Sequence, residues 1–183
     1  MAHMPKGVAD PERRDRIAAA AVDIVARHGV DKLTHRAVAA SAGVPLGSTT
    51  YHFSSRDDLL LAAVEHAKRR WDVSVAEWEA SLAPTTDLAS ALGDFAVRTT
   101  GEARAQAVVE YELYIAALRR PALRQLSLMW DETLPRAVAR HTDSVTAQAL
   151  SMALDGLVVR SLVSGEPLTL PSVKPIFDRI LRG

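Results

Sequence analysis

One stretch, Leu33 to Leu59, narrows the possible folds more than any other part of the chain. It reads L-T-H-R-A-V-A-A-S-A-G-V-P-L-G-S-T-T-Y-H-F-S-S-R-D-D-L. The Thr34 hydroxyl is placed to accept a bond from a free N–H in the first turn of a short helix. Ala37, Val38 and Ala40 keep that helix small and apolar. Gly43 then permits the positive φ of a tight turn. Pro45 suits the first position of a second helix, where its missing N–H costs nothing. That second helix, 45–52, is short and rich in hydroxyls (Ser48, Thr49, Thr50, Tyr51). Its length and polarity fit insertion into a groove better than burial in a core. Helix, glycine turn and polar helix make a helix-turn-helix pattern, whose second helix enters the major groove of DNA. The same pattern also occurs as two short helices of an ordinary bundle.

The pattern is more specific than its outline. T-x-R-x-V-A-x-x-A-G-V runs from Thr34 to Val44, G-S-T-T-Y-H-F from Gly47 to Phe53, and S-x-D-x-L follows from Ser55. These residues resemble the TetR-type transcriptional regulators, strongly over the first third of the chain and beyond it through helix order and length. The resemblance implies a three-helix DNA-binding head on a larger helical body. It implies DNA-facing roles for Thr34, His35 and Arg36, for the run Pro45, Leu46, Gly47, Ser48, Thr49, Thr50, Tyr51 and His52, and for Arg56. Phosphate contacts would come from Thr34, Arg36, His52 and Arg56. Base edges would be met by Ser48 and Thr49 hydroxyls, with Leu46 and Tyr51 packing on thymine methyls. The family often carries Tyr where this chain has Thr50; its tyrosine here is Tyr51, so that phosphate contact falls to Thr50 or Tyr51.

Charge agrees in its distribution rather than its total. The net charge is zero, but residues 1–56 hold 8 Lys/Arg against 5 Asp/Glu, and residues 57–183 hold 14 against 17. A mildly basic head on a mildly acidic body is expected if only the head meets phosphate. The 48% apolar content is ample for a core and is not that of a disordered chain. With no cysteine, disulfides, thiolate metal sites and thiol catalysis are excluded, which fits a reducing cytoplasm. No apolar run approaches the ~20 residues of a membrane span, and no signal-peptide pattern opens the chain. Met1-Ala2-His3-Met4 reads as a cloning scar before a second start methionine.

Taken in order, the chain reads as all-α, with about nine helices. Residues 1–10 form a flexible arm whose Lys6, with Arg13, Arg14 and Arg16 beyond it, either reaches the DNA backbone or stays solvated. The head spans 11–55 and the regulatory and dimerisation body 56–183. A first helix over 11–28 turns Ile17, Ala21, Ile24, Val25 and His28 to the head's core, and Gly29 ends it. Phe53 plugs that core, and Ser54 or Ser55 caps a long helix over 56–81. Its stripe, Leu59, Leu60, Ala63, Val64, Ala67, Trp71, Val75 and Trp78, joins head to body. Beyond Pro84, a threonine caps a helix over 87–100 that ends at Gly101. Another covers 102–119. A helix over 121–141 is kinked by Pro135. Thr142 caps the next, which runs to Ser164 and Gly165, and a short last helix covers 172–182.

The body carries two further expectations. In the family, its two long helices pair with their copies in a second chain. The interface residues would be Leu126 and Met129 on one helix. On the other they would be Val145, Ala149, Met152, Gly156, Val159, Arg160 and Val163. The same faces would otherwise serve as intramolecular core. The remaining aromatics suggest a pocket for an apolar effector, with Trp71, Trp78, Phe95, Tyr111, Tyr114 and Trp130 as walls and Glu110 at the rim. An aromatic stripe at helical spacing is also ordinary core. No cofactor or metal is expected. His28, His35, His52, His66 and His141 are scattered, and neither a Gly-rich phosphate loop nor a G-x-S-x-G elbow is present, so an enzyme is not expected. The reading is a repressor that binds a near-palindromic operator in double-stranded DNA as a homodimer and is released by a small, largely apolar effector. Its rival is a helical dimer that binds a small molecule or protein without reading DNA.

Overall fold

The structure is a computed structural model that describes residues 11–183; the arm over 1–10, with Lys6, lies outside the described residues. Every element among the described residues is helical. The chain forms two compact units, one ending at His66 and one spanning Ala67–Gly183. The split between these compact units falls inside a helix.

The first unit holds α1 (Pro11–His28), α2 (His35–Ala42), α3 (Leu46–His52) and the opening turns of α4 (Arg56–Ala80), with a single helical turn at Val30–Lys32. Ile17, Val25, Leu33, Val38, Phe53 and Leu59 form its core. The Arg14 guanidinium lies 5.2 Å over the Phe53 ring. His28 departs from the reading and is exposed. It ends the last turn, where an imidazole keeps its hydration at no cost to packing. Thr34 caps α2 as expected, accepting from Ala37 N–H at 3.2 Å. Gly43 closes α2 with φ 65°. Pro45 is extended (ψ 144°), so α3 begins one residue later, at Leu46.

At the start of α4, Ser55 and Asp58 satisfy each other's backbone. The Ser55 hydroxyl accepts from Asp58 N–H at 3.1 Å, and the Asp58 carboxylate accepts from Ser54 and Ser55 N–H at 2.9 and 3.0 Å. With the Ser54 hydroxyl also donating to it, Asp58 is held below the usual carboxylate range.

The second unit adds α5 (Leu88–Thr100), α6 (Arg104–Ala116), α7 (Arg124–Asp131), α8 (Thr133–Val138), α9 (Ser144–Ser164) and α10 (Leu170–Arg182). The single kinked helix expected over 121–141 is instead two short helices, α7 and α8. The chain breaks at Glu132, which puts Pro135 in the first turn of α8, where no N–H is needed. Two caps also differ. Asp87, not a threonine, caps α5 by accepting from Ala89 N–H, while the Thr86 hydroxyl accepts from Ala83 N–H within the turn. Asp143, not Thr142, caps α9, accepting from Val145 and Thr146 N–H at 3.0 Å each. A carboxylate reaches both free donors of the turn at once and also answers the helix dipole. Thr169 and Ser172 form a capping box that starts α10 at Leu170 rather than 172.

Around Val75, Trp78, Leu92, Phe95, Leu150 and Phe177 this unit closes its own core. Gly93 lets α5 and α10 meet, since a Cβ there would stand 2.4 Å from Leu170 Cδ1. The buried Thr100 hydroxyl donates to Ala96 C=O at 3.0 Å and accepts from Leu168 N–H at 3.2 Å, tying the approach to α10 onto α5.

Candidate nucleic-acid interface and effector cavity

Short α3 has room for one inward turn only. Thr49 and Phe53 take it: Thr49 is completely buried, and its hydroxyl donates to Leu46 C=O at 2.8 Å. Thr49 therefore faces the core of the head and not the bases, a correction to the sequence reading. Its four-residue spacing to Phe53 put it on the inner stripe. Pro45, Gly47 and Thr50 are exposed, Leu46 is 46% exposed and Tyr51 71%. Ser48 and His52 are half-buried, and the Tyr51 and His52 rings meet edge to face at 5.2 Å. Thr50 uses its proton on Gly47 C=O at 3.2 Å. Thr34 and Arg36 are exposed beside this surface at the start of α2. His35 is half-buried, with its Nδ1 buried and unpartnered.

Arg56 has a structural duty the sequence did not reveal. Its Nε donates to Leu33 C=O at 2.9 Å and its Nη2 to Val30 C=O at 2.8 Å, with Asp31 3.8 Å away. It clamps the turn between α1 and α2, adding a second bond to Val30 C=O, which already accepts from Leu33 N–H at 3.1 Å.

The second unit contains a cavity of about 370 Å³. Trp71 of α4, Tyr111 and Tyr114 of α6 and Trp130 of α7 supply aromatic walls; Leu134, Leu154 and Val159 add aliphatic ones. Three carboxylates face it: Glu110, Asp131 and Asp155. No lysine, arginine or histidine lines it. Trp78 and Phe95, expected as walls, are buried core instead. Trp78 Nε1 donates to Ala91 C=O at 3.2 Å, and the Phe95 ring sits 5.7 Å from both Trp71 and Trp78. Trp71 and Trp78 share a stripe but lie about two helical turns apart, so only one reaches the cavity.

Glu110, expected at the rim, is only 9% exposed. Gln106 Nε2 donates to its Oε1 at 2.7 Å, and Arg70 Nη2 donates to Gln106 Oε1 at 2.8 Å. Burial pushes the Glu110 carboxyl above its ordinary range, against the pull of Gln106 and Arg70. Tyr111 donates to Asp155 at 2.7 Å and Tyr114 to Asp131 at 2.9 Å. Asp155 is exposed as a residue, yet crowding around its carboxyl thins the water there and pushes it up; the Tyr111 bond opposes this. Tyr111 is raised far beyond the usual phenol range, and Tyr114 is pushed up to about 12, both first by loss of water and then by the carboxylates they face. The sequence reading missed Asp131 and Asp155. The available signal was a lone carboxylate within the apolar run of α9.

One face of α9 has no partner among the described residues. Val145 is 78% exposed, Met152 63% and Val163 84%, with Ala149 and Val159 half-buried along the same line. Gly156 is exposed, and a Cβ on it would meet nothing within 4 Å. Arg160 is exposed beside them, and on α7 Met129 is exposed and Leu126 half-buried. Gly156 and Val159 belong both to this face and to the cavity wall. Among the described residues no group of three or more His, Asp or Glu is placed to hold a metal, and no helix is long and apolar enough to cross a membrane.

Comparison with known proteins agrees with this division. Residues 17–63 match the bacterial regulatory proteins of the tetR family, and residues 83–183 match the tetracyclin repressor-like C-terminal domain. The structure of the multidrug binding protein EbrR complexed with ethidium is 42% identical, with a TM-score of 0.84, over 93% of this chain and 99% of that one. Further complexes of EbrR hold proflavin and malachite green. A TetR-family member from Streptomyces coelicolor A3 is also 42% identical, with a TM-score of 0.83 over the same shares. The HTH-type transcriptional regulator BetI of Cronobacter sakazakii is 24% identical over 98% of this chain and 94% of its own. The helix-turn-helix head and the helical body each match their counterpart, and the chain belongs to the tetR family of bacterial regulatory proteins, which are transcriptional regulators and not enzymes.

Proposed function

We propose that this regulator is a homodimeric repressor, released from its operator by a flat, cationic aromatic effector bound in the cavity of the second unit. One observation carries the effector: three carboxylates and four aromatic rings line a single cavity that has no basic side chain. A cation there gains both charge and ring-face attraction, most of all beside the buried Glu110. Ethidium and proflavin, each held in a structure of EbrR, are flat aromatic cations, and malachite green, held in another, is an aromatic cation. The sequence suggested a largely apolar effector; the carboxylates add the charge.

The unpartnered apolar face of α9 supports the dimer, because exposed apolar seams of this length belong to interfaces. A two-fold pair would set two recognition helices about one DNA turn apart, ~34–36 Å, or a multiple of it. On the head, Leu46, Gly47, Thr50 and Tyr51 would meet base edges, with Thr34, Arg36, His52 and Arg56 on phosphates. The effector lowers DNA affinity only if it binds the DNA-incompetent form better.

The test is a titration on DNA from directly upstream of the gene, at two salt concentrations, with and without benzamidinium, a flat aromatic cation with N–H donors. That cation does not intercalate, so loss of binding reports on the protein. Tight, salt-sensitive binding of two chains to one near-palindromic segment, relieved by the cation, is expected. Equal, weak binding to random DNA would favour the rival, a ligand-binding dimer that does not read DNA.

A further inference from the structure

The hydrogen-bond inventory of the cavity is one-sided. The Tyr111 and Tyr114 protons are used on Asp155 and Asp131. The Thr99 hydroxyl donates to Phe95 C=O at 2.8 Å and the Ser151 hydroxyl to Ala147 C=O at 2.9 Å. The Gln106 amide donates to Glu110. Each carboxylate meets one side-chain donor, at one oxygen, and its second oxygen is left to accept. Besides the Trp130 indole N–H, one side-chain donor remains, the buried and unpartnered Trp71 indole N–H. It lies among aromatic rings, where the face of a flat ligand can accept it.

We infer that the cavity selects among cations by hydrogen-bond polarity, taking those that present N–H donors to the second oxygens of Glu110, Asp131 and Asp155. This rests on the cationic-effector reading above. Charge alone would admit a fully alkylated cation of the same shape. Such a cation would cover the exposed Asp131 and Asp155 oxygens and the buried Glu110 oxygen with methyl groups, strip them of water and give nothing back, the costly case for a polar atom that a ligand buries. Gln106, Tyr114 and Tyr111 act as positioning residues: each fixes the oxygen that it binds and so aims the one that it leaves. A neutral ligand whose polar atoms only accept would meet the same unmatched oxygens and be rejected.

Two dyes of one skeleton separate charge from donors. Proflavin carries two free amino groups on a charged acridinium; acridine orange carries the same ring, charge and ring N–H with both amines dimethylated, so the pair differs only in its amino donors. Dissociation constants for both, measured on the full chain without DNA by equilibrium dialysis, should favour proflavin by about tenfold or more, the value of one buried hydrogen bond to a charged group. Asp131→Asn and Asp155→Asn keep a carbonyl for the tyrosine but replace an open acceptor with a donor. Each should shrink the preference several-fold. Should either fail to fold, as judged by helical circular dichroism, Tyr114→Phe and Tyr111→Phe release the same carboxylates from their anchors and should shrink it as well. Equal affinity of the wild-type protein for the two dyes overturns the inference and leaves the cation reading standing. A preference unchanged in every variant overturns it too, since size alone then excludes the methyl groups. Failure of both dyes to bind removes the cation reading itself, and this inference with it.

Discussion

Glu110→Gln isolates the charge of the most buried carboxylate in the cavity. The amide keeps the shape, and its carbonyl still accepts from Gln106, so the change removes an ionisable oxygen and little else. A cation about 5 Å from an ionised carboxylate gains roughly 3 kcal/mol at an effective dielectric near 20. Arg70 opposes part of this from behind Gln106, and the cation loses water on entry. A net loss of about 1–2 kcal/mol remains, roughly tenfold in dissociation constant. Quenching of tryptophan emission by ethidium, without DNA, reads it directly, because Trp71 and Trp130 line the cavity.

The pH dependence gives the same test a sign. Burial raises the Glu110 carboxyl above its ordinary value, so in the empty cavity proton and cation compete for it. Wild-type affinity should weaken as pH falls through that raised value, by up to tenfold per pH unit. The Gln variant should show a shallower fall, with Asp155, also raised, supplying the remainder. Stability runs the opposite way. A raised folded pKa favours the fold most below the unfolded value and loses that advantage as pH rises through the folded one, so Glu110→Gln should help most at high pH. Identical ethidium affinity and identical pH profiles for the two proteins would refute a charge role for Glu110.

Thr49→Val should cost the head about 0.5–1.5 kcal/mol through the lost bond to Leu46 C=O, seen in urea denaturation, with operator preference over random DNA unchanged. Tyr51→Ala should cut binding to the operator far more than to random DNA at matched salt; an equal loss on both would mean that Tyr51 holds phosphate only. Gly156→Ala meets nothing within 4 Å among the described residues and adds helix propensity of about 1 kcal/mol, so the isolated chain should gain stability. If α9 is the dimer seam, the same methyl should weaken self-association in sedimentation equilibrium.

Much of the fold was legible because its signals are local. Gly43, Gly101 and Gly165 close helices where the chain needs an end, and Thr34 and the Ser55 region open them. The misreadings share a cause: more than one residue could do the job, and geometry chose. Asp87 and Asp143 outcompeted neighbouring threonines as caps because a carboxylate reaches two donors. Pro135 marked a break correctly, but only the structure shows that it begins a helix rather than bends one. At the candidate sites, periodicity found Tyr111 and Tyr114 but could not tell Trp71 from Trp78, which lie on one stripe at different depths. Asp131 and Asp155 come from α7 and α9, and only tertiary packing brings them to Glu110.

The burial of Thr49 has a consequence for how selective the head can be. What α3 leaves exposed is Leu46, Gly47, Thr50 and Tyr51, with Ser48 partly covered. None of these side chains can grip a base with two parallel bonds, as an arginine on guanine or a glutamine on adenine does. A helix with this vocabulary earns little discrimination at any single base pair. Its selectivity has to accumulate from many small preferences: methyl contacts, single hydroxyl bonds and the ease with which the duplex deforms. Operators for such a protein should tolerate substitutions one at a time and fail only when several weak positions are lost together.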